Sequence, residues 1–118
     1  MSGPVAQALA GSPQLAAGFE SFRVAAHAAL GEELVAQVRY AVAQVHGVPL
    51  DKPEGTAPAA MLAYARRIPF EHTAITDEEA ADVVAELGEA RFVAFSVVAG
   101  LADAECRAQK VRLEELAR

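Results

Sequence analysis

The sequence predicts an all-α fold of about five helices, and three features of its 118 residues support this fold class. Alanine is abundant, Trp is absent and aromatic residues make up only 6% of the chain, which favours helices packed closely through small side chains. Apolar residues recur at intervals of three and four, the spacing of one helical face. Glycine and proline fall between the apolar segments, where helices begin and end.

The first predicted helix begins at Ser12 and ends before Gly31. Ser12 can cap the helix, and Pro13 occupies the first helical position, where its missing N–H costs nothing. Residues 1–11 are predicted to form a flexible leader, and residues 12–118 a single helical domain. The inward face of this helix is predicted to consist of Leu15, Phe19, Phe22, Ala26 and Leu30.

A second helix is predicted to begin at Glu32 and Glu33, because negative charge is favourable near a helix N-terminus. Gly47 and Pro49 mark its end, and residues 48–55 should form a loop. Its apolar stripe comprises Leu34, Val38, Val42 and Val45.

A third, shorter helix is predicted from a cap at Thr56 to about Ile68, where Pro69 should terminate it. Its inward residues are predicted to be Met61, Leu62 and Ala65.

The fourth helix has a distinct start signal at Thr76 and Glu79. These two residues have the spacing of a capping box, in which the threonine hydroxyl accepts the N–H three residues on and the glutamate returns a bond. The apolar pattern then predicts a helix that ends at Gly88.

The fifth helix is predicted to run from Glu89 to as far as Leu116. A continuous helix of this length would extend about 40 Å, which exceeds what a small domain can cover, so part of it is expected to contact another subunit. Its apolar seam comprises Phe92, Phe95, Ala99, Ala102, Cys106, Gln109, Leu113 and Leu116.

The composition argues against several classes of partner and location. The net charge of −6 disfavours binding to nucleic acids and anionic membranes, since both recruit proteins with a positive field. The apolar stretch 92–102 is shorter than the roughly 20 residues that span a bilayer. The N-terminus lacks the pattern of a secretory signal, and one cysteine cannot form an internal disulfide. A cytoplasmic location is therefore predicted.

A resemblance to the C-terminal half of the carboxymuconolactone decarboxylase and alkylhydroperoxidase-D-like superfamily begins at residue 57 and continues through residues 105–107, and residues 30–47 resemble the helix that precedes the cysteine pair of this superfamily. The similarity rests on helix starts, apolar stripes and caps that follow one another in the same order. They lie at residues 30–34, 38–47, 57–67, 75–79, 88 and 105–107. The resemblance implies an alkylhydroperoxidase-D-like helical fold and a homo-oligomer, commonly a trimer or a hexamer.

The chain departs from this superfamily where its thiol chemistry resides. That chemistry uses a Cys-x-x-Cys pair followed by a histidine. Here Gly47 is followed by Val48-Pro-Leu-Asp51, so valine and aspartate stand about where the thiols would be, and the following histidine is absent. The hypothesis that follows is a non-catalytic protein with an oligomeric or small-molecule-binding role. No metal is predicted, because no histidine has a ligand-like partner at helical spacing, and no cofactor is predicted, since the sequence has neither a Gly-rich phosphate loop nor a dinucleotide-binding fingerprint.

Enzymatic alternatives of the same fold stay open. Cys106 lies between Glu105 and Arg107 on the apolar stripe, where burial raises a thiol pKa and favours a core role; the alternative is a one-cysteine peroxidase-like enzyme. His46 and Glu33 are the candidates for acid–base catalysis at a subunit interface, although a helix C-terminus also stabilises a histidine there.

A further alternative is an adaptor that docks another protein through its C-terminal helix. Truncation after Arg107 would then remove partner binding and leave the fold intact.

Overall fold

The computed structural model describes residues 3–116, and all regular secondary structure in this range is helical. An all-α fold is thereby confirmed, with five helices of eleven residues or more. The helices are α1 (Pro4–Ala8), α2 (Pro13–Leu30), α3 (Glu32–His46), α4 (Ala59–Glu71), α5 (Asp77–Leu87), α6 (Glu89–Lys110) and α7 (Leu113–Leu116), with a 3-10 turn at His72–Ala74 after α4. None of the described helices has an apolar stretch sufficient to cross a bilayer.

The core forms around α6, which packs against α2, α3, α4 and α5. Its Phe95 is fully buried, and the ring of Tyr64 from α4 meets it edge-on at a centroid distance of 5.6 Å. The other large, fully buried side chains come from four helices and the end of α2. They are Leu30, Val38, Val42, Met61, Pro69, Val83 and Val98. The apolar stripes predicted for α3 and α6 thus supply buried side chains to the centre of the protein, among them Val38, Val42 and Phe95.

The inward face predicted for α2 is wrong in part. Leu15 and Phe22 were expected in the core, but they are 62% and 54% exposed. Only Leu30 of this helix is buried, and the half-buried Phe19 and Ala26 lie on the protein side with it. Because α2 is apolar around most of its circumference, residue spacing alone could not select the buried face.

Helix α4 begins and ends later than predicted. Pro58 precedes its first residue and restricts Ala57 to extended conformations, so the helix cannot start from a cap at Thr56. Pro69 lies inside the helix rather than after it. A proline there removes one hydrogen bond to the residue four positions earlier, Ala65, but this loss falls near the helix end and is tolerated.

The fifth predicted helix is interrupted. α6 ends at Lys110, and Arg112 then adopts a left-handed conformation with φ of 54°, which turns the chain before α7. α6 therefore extends about 33 Å instead of about 40 Å. The predicted seam is buried or half-buried as far as Cys106, whereas Gln109 and Leu116 are exposed.

The segment predicted as a flexible leader contains α1, which packs against α6 and α7. Regular structure thus begins at Pro4 rather than at Ser12. The first two residues of that leader, and residues 117–118 of the predicted domain, lie outside the described residues.

Two of the predicted helix boundaries have the expected local chemistry. The Thr76 hydroxyl accepts the Glu79 N–H at 3.1 Å, and the Glu79 carboxylate accepts the Thr76 N–H at 3.1 Å, so the capping box is complete. Gly47 ends α3 in the left-handed conformation with φ of 71°. Both boundaries follow from short sequence signals.

Replacing Thr76 removes the hydroxyl of the capping box. We expect Thr76→Ala to lower the free energy of unfolding by about 1 kcal/mol, since a backbone N–H of the first turn loses its acceptor. Urea denaturation measures this change. Thr73→Ala is the matched control, because Thr73 is exposed in the 3-10 turn and caps no helix. Equal losses in the two variants would contradict the capping assignment.

Candidate functional site

A histidine and an aspartate from different helices form a buried hydrogen bond. His46 occupies the last turn of α3, and Asp103 lies on the facing side of α6. The His46 Nε2 atom is 2.7 Å from Asp103 Oδ1, and the two side chains are 1% and 20% exposed. Because a carboxylate only accepts hydrogen bonds, the proton between them belongs to the imidazole Nε2.

Arg107 connects this pair to α4. It lies one turn after Asp103, and its Nε donates to both carboxylate oxygens at 3.0 and 3.1 Å. Its other end donates to the Pro69 carbonyl. The Phe70 ring contacts both side chains, with the Arg107 guanidinium 5.2 Å from its centroid and the His46 ring 5.0 Å away in an edge arrangement. Three helices are thus joined at one end of the bundle.

The second imidazole nitrogen of His46 has no hydrogen-bond partner among the described residues. Nδ1 is buried, and in the neutral ring it is an acceptor, since Nε2 carries the proton toward Asp103. A buried polar atom without a partner costs roughly 1–3 kcal/mol. Native proteins leave few such atoms, so this nitrogen indicates a role beyond packing.

A cleft of about 640 Å³ lies beside this cluster. Its lining is mainly apolar, with three polar side chains among the apolar ones. The lining residues are Val5, His46, Phe70, Ala104, Arg107, Ala108, Lys110, Val111 and Leu113. This volume falls within the range of small-molecule sites in proteins, which also combine apolar walls with a few polar groups.

Helix α1 forms one wall of the cleft through Val5, and Glu105 holds this helix in place. Its carboxylate accepts the Val5 N–H, and burial raises the pKa of this carboxyl group. A Cβ atom at Gly3 would lie 2.6 Å from Glu105 Oε2, so a larger residue there would displace the end of the Glu105 side chain. No sequence pattern predicted this wall, because α1 has only five residues and no apolar periodicity.

Within one chain, the predicted pair of His46 and Glu33 is not brought together. Both belong to α3, but Glu33 lies in its first turn and His46 in its last, which separates them by about 20 Å along the helix. Glu33 instead lies against the loop before α4, where its Oε1 would be 2.7 Å from a Cβ atom at Gly55. Asp103 is the carboxylate that contacts His46.

Cys106 is a buried free thiol on the core side of α6. Burial raises its pKa, and the nearby Asp103 carboxylate raises it further. The neighbouring Arg107 is directed to Asp103 and Pro69 rather than to the sulfur. This environment disfavours the thiolate that nucleophilic and redox chemistry requires.

The remaining histidines do not form a site with these residues. His27 lies beside Arg23 on α2, and burial together with that guanidinium lowers its pKa. His72 is exposed in the 3-10 turn. No group of three or more metal-binding side chains occurs among the residues whose side chains the structure describes.

Asp103, Arg107, Phe70 and Lys110 are members of the site that sequence analysis did not assign to it. The spacing of Asp103 and Arg107 by four residues is a signal that could have indicated their ion pair. Their contact with His46, 57 residues earlier, had no sequence signal.

No family model matches the chain, and comparisons with curated proteins and with solved structures also give no match. The function is therefore argued from the His46–Asp103 pair and the cleft beside it.

Removing the carboxylate of Asp103 tests the pair. We expect Asp103→Ala to lower the free energy of unfolding by roughly 1–3 kcal/mol, because the buried imidazole N–H loses its acceptor. His46→Leu should change stability much less, and the double variant should lose less than the sum of the two single variants. Chemical denaturation of the unmodified protein, the two single variants and the double variant measures the coupling energy between His46 and Asp103.

The control for these variants is Asp82→Ala, because Asp82 is an exposed aspartate on α5. It should change stability by less than about 0.5 kcal/mol. Strict additivity of Asp103→Ala and His46→Leu would contradict an energetically significant hydrogen bond between the two side chains.

The raised pKa of Cys106 predicts a thiol that reacts slowly with alkylating reagents. A higher pKa leaves less thiolate at neutral pH, and burial blocks access. We expect iodoacetamide to alkylate the native protein at least about tenfold more slowly than the urea-unfolded protein. Ala104→Cys in a Cys106→Ser background is the control, since Ala104 is exposed two positions away. Equally fast alkylation at both positions would contradict burial of Cys106.

Proposed function

We propose that this protein is a non-catalytic binding protein whose cleft beside His46 holds a small molecule. The observation that carries the proposal is His46, which lines a mainly apolar cleft of about 640 Å³ and whose buried Nδ1 has no hydrogen-bond partner among the described residues. A ligand that donates a hydrogen bond to this nitrogen would remove the cost of leaving it unpaired. Asp103 fixes the imidazole in the tautomer that can accept this bond.

The cleft favours a small amphipathic anion. Its apolar side chains suit a hydrocarbon or aromatic body, and Phe70 is 59% exposed, so it offers a ring for stacking. Lys110 lies on the same cleft and has no ion-pair partner among the described residues, whereas Arg107 is already paired with Asp103. The ammonium of Lys110 can therefore receive a carboxylate or similar group.

A binding role accounts for this lining better than catalysis does. Among the nine lining residues, His46 is the only side chain suited to proton transfer near neutral pH, and no serine, threonine or cysteine hydroxyl or thiol is present as a nucleophile. Cys106 is buried with a raised pKa, and Glu33 lies at the far end of α3. The first observation argues against a one-cysteine peroxidase-like enzyme, and the second argues against acid–base catalysis by His46 and Glu33 of a single chain.

The proposal includes divergent membership of the carboxymuconolactone decarboxylase and alkylhydroperoxidase-D-like superfamily, with self-association and a cytoplasmic location. In support of the membership, the capping box, the Gly88 boundary and the long apolar α6 follow one another in the expected order. The adaptor alternative loses support, because the C-terminal segment folds back as α7 against α1 instead of extending as a free helix.

An acid–base enzyme remains the second candidate, with Asp103 in place of Glu33. The 2.7 Å bond from His46 to Asp103 favours it, since an aspartate that orients a histidine is a common arrangement for a general base. Base-catalysed opening of nitrobenzisoxazole would detect such activity. Turnover abolished by His46→Leu would support the enzyme over the binding protein.

Fluorescence titration with anilinonaphthalenesulfonate tests the cleft, because this probe combines an aromatic body, an N–H donor and an anionic group. We expect His46→Leu to remain folded and to bind the probe about tenfold more weakly, a loss of about 1.4 kcal/mol. Ala104→Leu should weaken binding similarly by filling the cleft that Ala104 lines.

The matched control is Ala63→Leu, which makes the same change at an exposed position of α4 outside the cleft. Its affinity should equal that of the unmodified protein. If Ala104→Leu and His46→Leu also bind the probe normally, the cleft is not the binding site and the proposal fails.

A further inference from the structure

Helix α2 presents a broad face without charge. Eleven of its eighteen residues are exposed, and none of the eleven is Asp, Glu, Lys, Arg or His. Three of them are large apolar side chains, with Leu15 62%, Phe22 54% and Val24 50% exposed. Such a surface is unusual on a single protein chain and indicates an interaction site.

This property distinguishes α2 from the other long helices. Each of α3, α4, α5 and α6 exposes at least two charged residues. The charged residues of α2 are half-buried on its protein side, where Glu20 and Arg23 pair with each other. The uncharged face therefore occupies a continuous arc on the outer side of the helix, opposite Leu30.

We infer that this face of α2 binds the same face of a second copy of the chain. The net charge of −6 makes most contacts between copies repulsive. α2 is the long helix at which two copies can meet without bringing charged side chains together. An uncharged, apolar surface is also complementary to itself, as a two-fold symmetric interface requires.

The residue sizes along α2 suit an antiparallel pair. When a two-fold axis passes between Ser21 and Phe22, at the midpoint of the helix, Gly18 lies opposite the partner's Ala25 and the two Phe22 rings lie side by side. Small residues at the crossing point allow the two helix backbones to approach closely. The rings then cover the rim of the contact.

Gly18 gives an independent indication of this contact. Glycine inside a helix is unfavourable, and no heavy atom other than those of its two chain neighbours and of its own helical backbone lies within 4 Å of a Cβ atom built at this position. Nothing within the chain therefore requires a glycine there. A second helix that packed closely against this position would require a small residue such as glycine.

The size of this face limits the expected affinity between the two copies. Eighteen helical residues extend about 27 Å, and a helix presents a strip about 10 Å wide, which is less than the surface buried in obligate dimers. We therefore expect a reversible dimer that depends on concentration. This inference rests on the self-association included in the proposed function and is independent of the ligand, because no residue of α2 lines the cleft beside His46.

Sedimentation equilibrium over a range of concentrations tests the interface. We expect the unmodified protein to dimerise and Ala25→Glu to weaken dimerisation at least tenfold, since it places two carboxylates in the contact. Ala63→Glu is the matched control: it adds the same charge at an exposed alanine of α4 and should dimerise more strongly than Ala25→Glu.

Two further variants separate loss of the interface from loss of folding. Gly18→Leu should raise the melting temperature of the monomer, because leucine favours helix, and should abolish dimerisation. Ser21→Cys should form an intermolecular disulfide under mild oxidation, whereas Ala63→Cys should not.

The outcomes distinguish this inference from the proposed function. If the protein self-associates and Ala25→Glu and Gly18→Leu have no effect, α2 is not the interface but self-association stands. A protein that is monomeric at every concentration overturns the α2 inference and the proposed self-association, and leaves ligand binding to be judged by the cleft variants.

Discussion

The site depends on the hydrogen bonds that the Asp103 carboxylate accepts. It accepts a hydrogen bond from His46 at the end of α3 and two from Arg107 on its own helix, and Arg107 continues to the Pro69 carbonyl near the end of α4. One side chain thereby fixes the relative positions of three helices at the end of the bundle where the cleft opens. Charged hydrogen bonds have narrower geometric requirements than apolar packing, so this end is held more specifically than the alanine-rich middle.

This polar cluster contrasts with the rest of the interior. The core consists of aliphatic and aromatic side chains, and Gln37 and His46 are the buried polar residues among those described. Gln37 has two carbonyl partners in the loop before α4, which explains its place. His46 has one partner for two nitrogens. A leucine would fill the same volume without that deficit, so stability alone does not account for a histidine here. Local rules are most often broken at functional positions.

Sequence signals predicted the parts of the fold that depend on neighbouring residues. The capping box at Thr76, the left-handed Gly47 and the stripes of α3 and α6 are set within a few positions, and the structure agrees with them. The buried face of α2 could not be predicted, because its charged residues Glu20 and Arg23 lie on the protein side and its apolar residues are largely exposed. The turn at Arg112 and the position of α1 depend on contacts between distant segments. The partner of His46 was missed for the same reason, since Asp103 is 57 residues away.

The packing of α1 against α7 has a consequence for the order in which the protein forms. Both helices border the cleft, with Val5 on one side and Leu113 on the other. Five and four residues are too few to hold a helix in isolation, so each depends on the folded bundle and on the other. During synthesis the bundle of α2 to α6 can assemble first, whereas the cleft has no complete wall until the chain through Leu116 has emerged from the ribosome. The two walls of the cleft that α1 and α7 supply are therefore completed only after the bundle has formed.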